Sequence, residues 1–280
     1  MKIQKAVITA AGQHQRTLPL QILVDRDGTS KTALSIIVAE AVSAGIEEIA
    51  VVVCPGDQAA FSAAAGTQAV KLHFIEQTQP RGYAHAVFAA KDFVGADPVL
   101  LMVGDHVYVS REASGCARQL VDKASMNQCS VSAVQATHES KLPYFGAIGG
   151  RCVTGHPGVY HVTDVLEKPT PTVAEQRLIV PGLRNGYYLC FFGMPVLTPT
   201  VMRLLRDILS QRTEPGIPLS TALDELAKKE RYLAYEVKGR RYDIGGRYGL
   251  LTAQIALGLE GQDRDDILAG LVELLASRQR

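Results

Sequence analysis

Short apolar runs alternate with stretches of helical spacing along the first half of the chain. Lys5 to Thr9 (KAVIT), Ile49 to Val53 (IAVVV), Leu72 to Ile75, Pro98 to Val103 (PVLLMV) and Ser130 to Ala136 are the runs. Most are continuous rather than alternating, and several are rich in Val and Ile, which predicts strands buried on both faces. Between them, Ala33 to Ala44, Tyr83 to Phe93 and Glu112 to Ala124 carry helical patterns, the first stopped by Gly45. Strand and helix in turn predict an α/β fold, with a parallel sheet covered by helices on both faces.

The second half is more mixed. Tyr160 to Val165, Tyr187 to Phe192 and Tyr232 to Val237 read as strands, and Val201 to Leu209, Thr221 to Lys229 and Tyr248 to Leu259 as helices. A last helix, Asp265 to Ser277, carries Ile267, Leu268, Leu271, Leu274 and Leu275 at helical spacing. That stripe must cover either the body of its own chain or a second copy, a homo-oligomer. No low-complexity linker or tandem repeat interrupts the pattern. One main body over residues 1–262, with a distinct part over 140–235 and a C-terminal helix over 263–280, is the simplest division.

Composition narrows the function classes. Of 280 residues 47% are hydrophobic, which excludes a disordered chain. The 29 basic and 28 acidic residues leave a formal charge of +1, so no global field favours nucleic acid or an anionic membrane. A phosphate ligand would have to be held by local groups. Five cysteines, with no CxxC pair and mostly in apolar surroundings, are expected to be buried reduced thiols. No apolar run reaches spanning length, and MKIQKAVITAAG enters a strand without a leader-like segment, so the cytoplasm is the expected location.

Ligands of open α/β sheets bind at the carboxyl ends of the strands. After the first strand come Ala10, Ala11 and Gly12, small enough for backbone N–H groups to approach phosphate, then Arg16 with its fixed fork of donors. After Ile75 comes Gln77, whose carboxamide suits a pyrimidine edge, then Gly82, which would leave room for a flat base. Asp105 ends PVLLMV and Asp243 follows a short strand-like stretch. Either suits a Mg²⁺ ion beside phosphates, which uses one or two protein carboxylates. Glu167 and Lys168, held before Pro169, could accept sugar hydroxyls and meet a phosphate.

In this order, the segments AAGQHQRTLP, QTQPRGYAHAV, VGDH, YFGAIGG, LEKPTP and RRYDIGGRYGLLTA resemble the sugar-1-phosphate nucleotidyltransferase family. The branch they are most similar to is that of the bacterial UTP–glucose-1-phosphate uridylyltransferases. The resemblance implies a Rossmann-like three-layer α/β/α fold with a mixed central sheet and a small sugar-side subdomain. It implies that a nucleoside triphosphate, UTP in that branch, reacts with a sugar 1-phosphate, glucose 1-phosphate in that branch, to give a nucleotide sugar and pyrophosphate with Mg²⁺. Residue by residue, it makes Ala11, Gly12 and Arg16 triphosphate contacts, and Gln77 and Gly82 base contacts. Asp105 and Asp243 become the metal ligands, Gly146 and Glu167 hold the sugar, and Lys168 holds its phosphate.

Two departures stand out. His14 and Gln15 occupy the places of the family loop's second glycine and its threonine, and the family's later Pro-Lys is missing. Arg26 and Lys31 are the basic residues nearest to the gap. A nucleotide- or sugar-binding regulator with little turnover is the competing reading.

Overall fold

The computed structural model describes residues 1–12, 16–67, 70–212 and 214–277. The chain opens with β1 (Lys5–Thr9), a hairpin of β2 (Ile22–Val24) and β3 (Ser30–Thr32), and α1 (Ala33–Ser43). Then come β4 (Glu48–Val53), α2 (Gln58–Ala64), β5 (Lys71–Glu76), α3 (Tyr83–Ala89), α4 (Lys91–Val94), β6 (Val99–Val103), β7 (His106–Ser110) and α5 (Cys116–Asn127). The remainder is β8 (Ser130–His138), β9 (Ala147–Cys152), β10 (Val159–Leu166), α6 (Pro171–Arg177), β11 (Tyr187–Leu197), α7 (Thr200–Gln211), α8 (Leu219–Lys229), β12 (Tyr232–Glu236), β13 (Gly239–Asp243), α9 (Gly249–Leu259) and α10 (Arg264–Ala276).

Nine strands form one sheet in the order β5-β4-β1-β6-β11-β8-β12-β10-β9. The first four are parallel, as their unbroken apolar runs predict: Ala6, Val7 and Ile8 of β1 and Ile49 to Val53 of β4 are fully buried. The parallel pairing does not continue directly from β6 to β8, although β8 pairs parallel with β12. β11 enters between β6 and β8, antiparallel to both, so the sheet is mixed. β9 and β10 of the 140–235 part belong to this same sheet. One apolar cluster packs α1 and α5 on one face, and a second packs α3, α7 and α8 on the other. These are the three layers.

Local chemistry explains where helices begin. Thr32 caps α1, its side chain accepting from the Ser35 amide at 3.0 Å. The helical pattern from Glu112 starts only at Cys116, because Ser110 Oγ donates to the Ser114 carbonyl at 2.7 Å and holds residues 111–114 as a loop. The buried Glu40 carboxylate on α1 accepts from the Ala117 amide at 2.7 Å and fixes that start. Burial pushes the Glu40 carboxyl above its ordinary range. Four cysteines are buried and Cys152 is exposed; none is in a disulfide. No helix among the described residues is long and apolar enough to cross a membrane.

Own-chain cover of α10 is only partial. None of its residues is buried; Ile267 and Leu271 are half-buried, with Ile267 set against Gly258 of α9, and Val272 and Leu275 are 65% and 68% exposed. Replacing Ile267 by Ala should cost about 1–2 kcal/mol, below the full core value because burial is partial. Leu275→Ala should stay within about 0.5 kcal/mol. Urea unfolding at low protein concentration reads both. Equal costs would show that α10 is covered in solution on the face left open here.

Candidate active site

A cavity of 850 Å³ opens at the carboxyl ends of β1, β5, β6 and β10. Ala11, Gly12, Gln77, Gly82, Asp105, Glu167, Lys168 and Asp243 all line it. Gly146 lines an adjoining recess of 170 Å³ that shares Tyr83, His106, Phe145 and Glu167 with the main cavity. The predicted site residues therefore meet in one place, with Arg16 the exception. Its guanidinium is held by Asp57 Oδ1 at 2.6 Å, away from the lining. His14 and Gln15 lie outside the described residues.

Asp105 and Asp243 are brought together by a two-stranded ribbon. β7 pairs antiparallel with β13, and in that register Asp243 stands opposite His106. Cross-strand partners present their side chains to the same face. The turn at Gly104-Asp105, pinned by the Ile244 amide on the Asp105 carbonyl at 2.9 Å, adds Asp105. Donor atoms of Asp105, His106 and Asp243 lie within 4.8 Å of one another, an arrangement that fits a divalent metal ion. Burial works to raise the Asp105 carboxyl, but the His106 hydrogen bond and charge, with a backbone donor, hold it below its ordinary value.

Gln77 is buried, with its amide group fixed. Its nitrogen faces the Gly82 carbonyl at 3.3 Å and His85 Nδ1 at 3.1 Å. A carbonyl can only accept, so the atom facing it is the NH₂ and Oε1 remains the free acceptor. Burial, helped by the Arg81 charge, lowers the His85 pKa and keeps that imidazole neutral.

Gly82 has a different reason from the one its sequence suggested. It sits at φ +102° and ψ −178°, a conformation essentially confined to glycine. A Cβ there would come within 2.8 Å of the Gly216 and Ile217 backbone, so what it makes room for is the 216–217 loop. Gly146 makes room for site groups: a Cβ would come within 2.9 Å of the Phe191 ring and 3.1 Å of Glu167 Oε2. Lys168 is held at φ +43° in front of Pro169, doubly unusual for a non-glycine residue.

Sequence reasoning missed four residues here. Arg247 lines the cavity beside Gly245 and Gly246, and its place just after YDIGG was the available signal. Tyr83 stands between cavity and recess, its phenol kept protonated by burial and by the nearby Asp105 and Glu167 carboxylates. Arg241 packs 3.9 Å from the Phe145 ring with Nε and Nη1 buried and unpartnered, and burial lowers its pKa to about 10. His106 is the fourth. Arg26 and Lys31 do not line the cavity; Lys31 is held by Asp25 and Asp27 at 2.7 Å each.

This geometry gathers small residues at strand ends and three groups able to hold a divalent ion in one cavity of a doubly covered sheet. A family model, nucleotidyl transferase, matches residues 5–256, and the chain belongs to that family. The chain is 30% identical over 305 residues to the UTP–glucose-1-phosphate uridylyltransferase of Streptococcus pneumoniae serotype 4 (strain ATCC BAA-334 / TIGR4), covering 98% of this chain and 96% of that one. It is 31% identical over 307 residues to that of Streptococcus pyogenes, covering 98% and 95%. In fold it is similar to a UDP-glucose pyrophosphorylase solved with UDP-glucose, at TM-score 0.73 and 24% identity over 91% of this chain and 98% of that one. It is also similar to a UTP-bound UGPase from Acinetobacter baumannii, at TM-score 0.74 and 22% identity over 97% and 99%.

Gly82→Ala should cost about 2–3 kcal/mol, because the backbone conformation is glycine-only and the 216–217 loop must shift. Thermal unfolding checks it. A variant as stable as the parent would show that residue 82 relaxes without strain.

Proposed function

We propose that this protein transfers the uridylyl group of UTP to glucose 1-phosphate, releasing pyrophosphate. The observation that carries the reading is the ordered lining of one cavity: a fixed amide acceptor, paired carboxylates, then the Glu167-Lys168 pair at the sugar end. The names of the full-length relatives agree with it. A phosphate oxygen of the sugar attacks the α-phosphorus in line as the bond to the β-phosphate oxygen breaks, and no covalent enzyme intermediate is needed. Backbone N–H groups at Ala11 and Gly12 cradle the triphosphate. Asp105 and Asp243 hold Mg²⁺, which when bound neutralises developing phosphate charge. Glu167 accepts sugar hydroxyls in space left by Gly146, and Lys168 meets the sugar phosphate. Catalysis is positioning and charge neutralisation.

The base is read through Gln77 Oε1, which accepts the N3–H of uracil. Cytosine and adenine present a ring acceptor there and are repelled. The test of the whole reading is pyrophosphate release with Mg²⁺ across common nucleoside triphosphates and sugar 1-phosphates. Tight triphosphate binding with no release from any pair would leave the regulator reading standing.

Two outcomes follow from the geometry. Gln77→Ala should blur the UTP-over-CTP preference by about 1–3 kcal/mol. That preference should be full at pH 7.5 and fall as pH drops through the lowered His85 pKa, because a protonated Nδ1 no longer accepts from the Gln77 amide. A preference independent of pH and of Gln77 would remove this account of base reading.

The second concerns charge lost with the family lysine. Among the described residues Lys168 and Arg247 are the Lys and Arg side chains that line the cavity. We assign Arg247, in place of Arg26 or Lys31, to the departing pyrophosphate. Arg247→Ala should lower kcat/KM by about 10²-fold or more, whereas Arg26→Ala and Lys31→Ala leave it near wild type. The reverse ranking in steady-state kinetics would sink the assignment.

A further inference from the structure

Beyond the carboxylate pair, we infer that His106 is a third protein ligand of the metal ion, and that its imidazole adapts the site to borderline first-row cations such as Co²⁺ as well as Mg²⁺. The inference rests on the nucleotidyl-transfer reading for its purpose and on the ribbon geometry for its existence.

Three observations carry it. His106 and Asp243 are register partners at the end of the β7–β13 ribbon, so imidazole and carboxylate share a face because of how the strands pair. The Asp105, His106 and Asp243 donor atoms converge within 4.8 Å at the cavity wall. Ligands on one octahedral ion with bonds of about 2.1 Å stand about 3 Å apart when adjacent and about 4.2 Å when opposite, so little movement is needed. Finally, His106 Nδ1 lies 2.7 Å from Asp105 Oδ1, with the two side chains only 12% and 21% exposed. That contact places a proton where an ion joining the two groups would sit. An ion at that position would take the Nδ1 lone pair, with the ring proton on Nε2.

The donor set then decides the cation class. Mg²⁺ favours oxygen ligands in near-ideal octahedra and gains little from a ring nitrogen. Imidazole strengthens binding along the series from Mn²⁺ through Co²⁺. A two-carboxylate, one-imidazole set therefore still holds Mg²⁺ or Mn²⁺ through its oxygens and gains most with Co²⁺.

The experiment uses the full chain without substrates. Mn²⁺ is bound to wild-type protein, and nitrogen modulation of its spin echo is recorded with natural-abundance and ¹⁵N-histidine-labelled protein. The expected result is a directly coordinated nitrogen whose coupling changes with the label. His106→Asn, folded by circular dichroism, should lose that coupling, and its preference for Co²⁺ over Mg²⁺ in equilibrium dialysis should fall by about ten- to a hundredfold. Bound Mn²⁺ with no histidine nitrogen, coupling that survives in His106→Asn, or an unchanged cation preference would each overturn the inference. The labelled wild-type measurement needs no variant to fold. Pyrophosphate release with Mg²⁺ is scored separately: release without nitrogen coupling ends this inference alone, and coupling without release ends the functional reading alone.

Discussion

The site depends on one strand pairing. Asp105 and Asp243 are far apart in sequence, and neither belongs to the nine-stranded sheet that carries most of the fold. The β7–β13 ribbon joins them, with Asp243 opposite His106 and the Ile244 amide bonded to the Asp105 carbonyl. A slip of one residue would turn Asp243 to the other face of the ribbon and dissolve the convergence. The ribbon is anchored by its own small apolar cluster: Val107, Val109, Ile244, Ala253 and Leu257 pack with Leu23, Ala33 and Ile36. Leu23 of the hairpin β2–β3, with Ala33 and Ile36 of α1, thereby helps set the distance between two carboxylates. Packing fixes that geometry, since two acidic groups without an ion between them repel.

The sequence made much of this legible, for a physical reason. Strands buried on both faces leave continuous apolar runs, and the four strands of the β5-β4-β1-β6 parallel block are found where those runs predict them. Residues at strand ends could be nominated because topology places ligands there, and all but Arg16 of those nominated line the cavity or its recess. The antiparallel entry of β11 between β6 and β8 was hidden, since strand direction and order depend on long-range pairing rather than on local pattern. β13 showed only as a short strand-like stretch before Asp243, being mostly polar, and β7 was missed because it follows β6 after only Gly104 and Asp105. His106 was passed over with its strand, because its significance comes from its cross-strand partner. The partners of the cations were equally invisible: Arg16 was singled out by its loop and Arg247 was not, yet only three dimensions show Arg16 paired with Asp57 and Lys31 with Asp25 and Asp27.

Charge is handled locally throughout. A net charge of +1 attracts no polyanion at long range, so phosphate affinity must come from backbone amides, a metal and a few cations held at the cavity. Lys168 shows what such holding costs. Its backbone sits at φ +43° immediately before a proline, a combination disfavoured by its own Cβ and by the following ring. Strain of about 1–3 kcal/mol persists only where surrounding structure imposes it. Here β10 ends at Leu166, locked by pairing with Ala147 of β9 and by the Val165 amide on Asp224, and Thr170 caps α6 by accepting from the Val173 amide. The few residues between must reverse direction and place Glu167 and Lys168 in the wall. On the proposed reading, a relaxed loop would lose backbone freedom when its ammonium met phosphate, whereas a backbone already committed to its turn has less to lose. The strain is therefore spent in folding, before substrate arrives, which is the form of preorganisation that electrostatic catalysis requires.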